Sequence, residues 1–167
     1  MNTAALTCRH LVQYAAPSLS DLTDEHLAHS SGGGGKTAGW IIGHLCVSGD
    51  FVRRKAGRPP LTPREWGPKF TPGTKASSNA ADYPRMAELR EAFTAIYSDL
   101  AHVAPSFSAE LLATENPFEP ARPRFATFGE FLTWMMTGHL GYHLGQLSEW
   151  RAAAGMPLRP GATSPWL

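Results

Sequence analysis

Two histidines late in the chain, His139 and His143 of "HLGYH", stand four residues apart. On a helix that spacing puts both side chains on one face, one turn apart, where two imidazole nitrogens can share a metal ion. The H-E-x-x-H motif of metalloproteases places a glutamate after the first histidine as general base. Leu140 occupies that position here, which argues against a protease of that kind. Both histidines fall in an apolar stripe between Met135 and Trp150. Burying two imidazoles costs free energy unless each ring nitrogen finds a partner, and either a metal backed by acceptors or an ordinary core hydrogen-bond network supplies those partners.

His44 lies on a second apolar stripe, between Trp40 and Phe51. If its helix faces the one carrying His139 and His143, it is a natural third ligand. Three histidines that leave positions open for water or substrate describe a catalytic rather than a structural site. Imidazole suits Zn²⁺, Ni²⁺, Cu²⁺ or Fe²⁺ and disfavours Mg²⁺ and Ca²⁺. Gln146, one turn beyond His143, is a candidate catalytic residue that orients a metal-bound water or ligates weakly; its other reading is a helix-packing amide.

The stretch "SSGGGGKTAGWIIGHL", residues 30–45, raises a different chemistry, because glycines ending in Gly-Lys-Thr look like a phosphate-binding loop. The full motif needs a glycine where Ser30 stands and a buried strand before it, whereas "DEHLAHSS" is polar and helical in character. Both requirements fail. The reading preferred is a flexible loop over Gly32 to Gly35, with Thr37 capping the following helix.

Seven histidines and two widely separated cysteines, Cys8 and Cys46, argue against a disulfide framework or a cysteine zinc site. A net charge of +1 gives no electrostatic footprint for nucleic acid or an anionic membrane. The N-terminus lacks a signal-peptide pattern and no run of about 18 apolar residues occurs, so a soluble cytoplasmic protein is expected. The 167 residues suit a single domain, 1–167.

Apolar spacing near 3.6 marks the elements that must position these residues. A first helix spans about Ala4 to Ala16, with Pro17 as its stop. Thr23 caps a short turn. A second helix runs from Ala38 to Ala56, ended by Gly57 and the Pro59-Pro60 pair. The Pro/Gly/Ser-rich residues 57–82 are too long for an ordinary connection and are either functional or a crossover. A third helix opens near Asp82 and Pro84 and ends before Pro105. The last opens on a Thr127/Glu130 capping box and closes at Gly155 and Pro157, with "MPLRPGATSPWL" extended beyond. Its Gly138, Gly141 and Gly145 form a small face that suggests close approach of another helix, within the chain or across a subunit contact. Arg53, Arg54, Lys55 and Arg58 read as a solvated, dipole-complementing end of the second helix, which an anionic cosubstrate could also use. The remaining histidines read as surface or packing groups, with His10 a candidate for pointing inward. The fold class is all-α, a four-helix bundle with one long crossover loop.

In order and spacing, "GWIIGHL", "PLTPREWGPKFTPGTKASSNAADYP" and "FGEFLTWMMTGHLGYHLGQLSEWRAAAGMP" resemble the DinB-like (DinB/YfiT) proteins, across roughly residues 4 to 158. The most specific elements are the histidine late in a W-x-x-x-H helix and the H-x-x-x-H-x-G-Q-L near the end. The resemblance implies an up-down-down-up bundle, a divalent metal held by His44, His139 and His143, and a homodimer. It also implies a small-molecule substrate and, from thiol-dependent transferases and isomerases among such proteins, a low-molecular-weight thiol as partner. No nucleic acid or membrane partner is expected. Zinc or nickel is the expected cofactor. A metal site of this kind can lower the pKa of a water or a thiol to make a nucleophile. Thiol activation is preferred because Glu149 and Asp50, each six residues past a ligand, point elsewhere on their helices. The alternatives are a hydrolase drawing its proton-transfer group from residues 57–82, or a non-catalytic metal-binding protein. Trp66, Phe70 and Tyr83 read either as pocket walls or as packing over the bundle end.

Overall fold

The structure, a computed structural model, describes residues 1–30 and 35–158. The glycine loop at 32–34 and the end of the tail lie outside the described residues. Helices α1 (Asn2–Ser20), α2 (Ala38–Lys55), α3 (Gly67–Phe70), α4 (Met86–Val103), α5 (Ala109–Ala113), α6 (Phe128–Trp134) and α7 (Leu140–Ala153) follow in order. Among the described residues β-pairing is limited to two isolated bridges, Ser30 with Thr37 and Glu115 with Thr127. The long elements form a ring: α4 packs between α1 and α2, and the α6–α7 unit closes the other side against both. The all-α expectation is borne out. No helix among the described residues is long and apolar enough to cross a membrane.

Helix α2 is capped as its sequence predicts, with Thr37 Oγ1 accepting from the Trp40 N–H at 3.1 Å. It ends where Gly57 turns the chain at φ 81°. It is also the most buried of the long helices, and its glycines are the reason others reach it. A Cβ on Gly43 would stand 2.7 Å from the Phe70 ring, and one on Gly49 would stand 2.7 Å from Ile96. The close approaches anticipated for Gly141 and Gly145 are not made within the chain, since nothing lies within 4 Å of a Cβ at either.

Helix α1 corrects the reading of Pro17 as a stop. The helix runs three residues past it, to Ser20. Proline removes one amide donor and disfavours helix in the residue before it, but side chains from other helices hold the carbonyls of the last turn. Arg90 of α4 donates to the Leu19 and Ser20 carbonyls at 3.2 and 2.6 Å. The fully buried Arg151 of α7 donates to the Ser18 carbonyl at 2.8 Å and clasps Asp21 at 2.6 and 2.8 Å.

At the charged end of α2, Arg54, Lys55 and Arg58 are exposed as expected, but Arg53 is not. Arg53 is only 2% exposed and donates to Asp50 and Asp99, each at 2.8 Å. Asp50 in turn accepts from the Leu61 and Thr62 backbone N–H groups and the Thr62 hydroxyl. These bonds fold the start of the 57–82 segment back along α2, so that Trp66 and Phe70 enter the core.

Because the Phe70 ring is buried and cannot swing away from α2, Gly43→Ala is expected to destabilise the protein by about 1–3 kcal/mol. Urea unfolding followed by circular dichroism measures this, and an unchanged midpoint would contradict the packing described.

Candidate metal centre

Helix α2 and the α6–α7 unit meet where His44 faces His139 and His143. The three residues offer one ligand atom apiece, all within 4.8 Å of one another. The His44 and His139 Nε2 atoms are 3.2 Å apart, and ring centroids across the trio are separated by 4.5 to 5.2 Å.

Each ring is placed by a different device. The His44 Nδ1–H donates to the Phe70 carbonyl at 2.7 Å, so the folded-back 57–82 segment fixes its tautomer and leaves Nε2 as a bare acceptor. Trp40, one turn earlier, stacks on the His44 ring at 4.8 Å and 5°. Lys36 lies over the other part of this arrangement, with Nζ 3.3 Å from the centre of a Trp40 ring and donating to the Thr74 carbonyl. Thr37 therefore caps α2 as expected, and Lys36 braces its first turn.

The His143 Nδ1–H donates to Gln146 Oε1 at 2.7 Å, and Gln146 Nε2 donates to the Tyr142 hydroxyl at 3.1 Å. Gln146 thus acts on the ring of His143, holding its tautomer. Tyr142 itself is 61% exposed.

His139 is positioned by a distortion the sequence reading missed. Met135–His139 forms a π-helical turn between α6 and α7. A π turn closes i→i+5 bonds and advances less per residue than an α turn. It keeps Phe131, Met135 and His139 along one cavity wall, where an unbroken α-helix would carry His139 further round. Gly138 within the turn has no room for a Cβ, because one would overlap the Trp134 ring.

Two observations test whether this trio fits a metal. The Nε2 atoms of His44 and His139 face each other at 3.2 Å, with His44 Nε2 bare, a separation that suits two nitrogen ligands of one ion as well as an imidazole–imidazole hydrogen bond. His139 Nδ1 is buried with no hydrogen-bond partner among the described residues. The trio is therefore not a fully satisfied hydrogen-bond network. Three imidazoles, two with their outer nitrogens held, match the donor set of a divalent transition metal. Burial holds the His139 pKa down to about 3 and the His143 pKa down to about 4, with the neighbouring imidazoles adding to both. His44 is lowered as well, chiefly by burial, against the Phe70 hydrogen bond. All three are neutral near pH 7, the form that ligates.

A cavity of about 950 Å³ opens onto the three histidines. The 57–82 segment contributes Gly67, Thr71 and Pro72 to its wall, whereas Trp66 and Phe70 pack into the core and Tyr83 bonds Thr37 and the Ser77 carbonyl. The opposite wall comes from Phe118 and Phe125, which stack on Phe131 and Trp134 respectively. The sequence reading passed over that segment because "NPFEPARPRFATF" has no helical period; its density of aromatics was the available signal. Ser48, one turn past His44 with its hydroxyl 3.5 Å from Nε2, was also missed. Asp50 and Glu149 do not line the cavity, nor does any other carboxylate among the described residues. His10 is exposed beside Tyr14 and does not point inward.

A family model described as the DinB superfamily matches residues 8–147. No curated protein and no solved structure matches the chain.

The depressed histidine pKa values make stability depend on pH. Above about pH 6.5 folded and unfolded chains both carry neutral imidazoles. As pH falls below that value the unfolded chain takes up protons that His139 and His143 refuse until about 3 and about 4. Metal-free protein should therefore lose up to about 1.4 kcal/mol per pH unit for each such histidine between pH 6 and 5. Urea unfolding across that window measures the slope. A flat profile, or the same slope in His139→Ala, would contradict it.

Proposed function

The chain belongs to the DinB superfamily, and we propose that it is a metal-dependent enzyme whose three-histidine site activates a thiol nucleophile for transfer or isomerisation of a small substrate. The observation that carries the reading is the pairing of three neutral, convergent imidazoles with a roomy cavity that, among the described residues, holds no carboxylate. His44, His139 and His143 are the ligands, and the metal is zinc or nickel, two of the ions that imidazole donors suit. The bound ion supplies Lewis acidity that lowers the pKa of a thiol or a water.

The chain's own residues do the rest. Phe70 and Gln146 keep the outer nitrogens of His44 and His143 protonated, so that the inner ones remain acceptors. Trp40 stacked on His44 prevents its ring from rotating. The aromatic wall keeps the reacting end dry, which favours a soft, weakly hydrated nucleophile. A hydrolase needs a group to move protons to and from water and leaving group. With no acid side chain on the cavity wall, a thiol, whose single proton is lost on binding, suits this site better than water does.

Cobalt-substituted protein tests the reading. Addition of a low-molecular-weight thiol is expected to produce a new near-ultraviolet charge-transfer band, absent from His143→Ala. An unchanged spectrum together with thiol-independent turnover of simple esters would favour a hydrolase instead.

A further inference from the structure

Among the described residues the cavity wall carries two full positive charges, Arg54 and Arg124. Arg54 stands ten residues past His44 on the same face of α2, through Val47, Ser48 and Phe51, a span of about 15 Å of helix rise. Its sole ion-pair partner is Asp50, at 3.7 Å, and Asp50 is already engaged by Arg53, Thr62 and the Leu61 N–H. Three guanidinium groups, Arg53, Arg54 and Arg58, share two carboxylates, Asp50 and Asp99, which leaves one positive charge in excess. Arg54 is the most exposed of the three, its side chain 49% accessible. The Arg124 side chain has no hydrogen bond or ion pair among the described residues.

Much of the remaining wall is aromatic: Phe51, Phe118, Phe125, Phe131 and Trp134. At about 950 Å³ the space lies toward the upper end of the range of roughly 300–1,000 Å³ typical of ligand pockets. Two guanidinium groups on the wall of an apolar cavity, one sharing an oversubscribed carboxylate and the other without a carboxylate partner, suit an oxyanion, which arginine binds through two parallel hydrogen bonds.

We propose that the substrate is an elongated small molecule with an aromatic or other apolar body and a carboxylate or equivalent oxyanion at one end, held by Arg54 and Arg124 while the opposite end lies at the histidines. The inference rests on the reading of the histidine trio as the reacting end, and it adds what fixes the substrate's direction and charge. A free amine meets no carboxylate on this wall among the described residues.

The test is calorimetric binding of 4-phenylbutanoate and of the matched neutral alcohol, 4-phenylbutan-1-ol. The proteins are the metal-loaded wild type, the Arg54→Met/Arg124→Met double variant, and the His139→Ala variant stripped of metal. Both arginines lie on the accessible rim, and unchanged thermal unfolding will verify that the double variant folds. The acid should bind the wild type about tenfold more tightly than the alcohol, the increment expected of one charge-assisted contact. The double variant should lose that preference while still binding the alcohol, and His139→Ala should keep it. Equal binding of the two probes, no binding of either, or a preference that survives in the double variant overturns the proposal. A preference abolished only by His139→Ala would mean that the carboxylate binds the metal, which overturns the arginine site while leaving the metal reading intact. A wild type that takes up no metal yet keeps an arginine-dependent preference would sink the metal reading and leave the oxyanion site standing.

Discussion

Three imidazoles packed within 5.2 Å of one another, centre to centre, repel as cations and cost free energy as buried neutral bases. Much of the fold around them answers that constraint. The Phe70 carbonyl satisfies His44, Gln146 satisfies His143, and Trp40 and Tyr142 confine the rings. Left over are the buried Nδ1 of His139 and the Nε2 atoms of His44 and His139, which face each other at 3.2 Å, close enough to share one ion. The inner nitrogens are thus arranged for a positive ion, and their low proton affinity keeps protons from taking its place.

The elements that deliver these partners are themselves held by charges distant from the cavity. Asp50 draws the chain after α2 back over that helix, and the glycine at 43 admits the Phe70 ring close enough for its carbonyl to reach His44. Arg90 and Arg151 reach the carbonyls at the end of α1, allowing that helix to pass its proline and close the ring. The π turn before α7 then sets the register in which His139 faces α2. A change in any of these would reach the site through the backbone rather than by contact.

What could be read in the residues was whatever depends on near neighbours in sequence. The Thr37 cap, the Thr127/Glu130 box, the Gly57 and Gly155 turns and the one-turn spacing of His139 and His143 are local devices. His44 joined them because a lone histidine on an apolar stripe needs a partner. The π turn was not legible, since a period of 3.6 was assumed throughout the last helix and "MMTGH" has no proline to announce a break. The passage of α1 through Pro17 was hidden for another reason: the arginines that permit it come from 70 and more residues away. Arg53 looked like a surface charge because Asp99, one of its partners, lies on another helix. The aromatic wall at 118–125 has no period, and its role emerges only when Phe118 and Phe125 stack on α6.

The account stands or falls on whether the trio holds a metal, and the direct measurement is metal content by plasma mass spectrometry of untagged protein beside its His44→Ala variant. Close to one transition-metal ion per chain in the wild type, with most of it lost in the variant while helicity persists, is the predicted result. No bound metal after incubation with zinc or nickel, or the same content in both proteins, would contradict it and return the three histidines to the core as hydrogen-bonded packing groups.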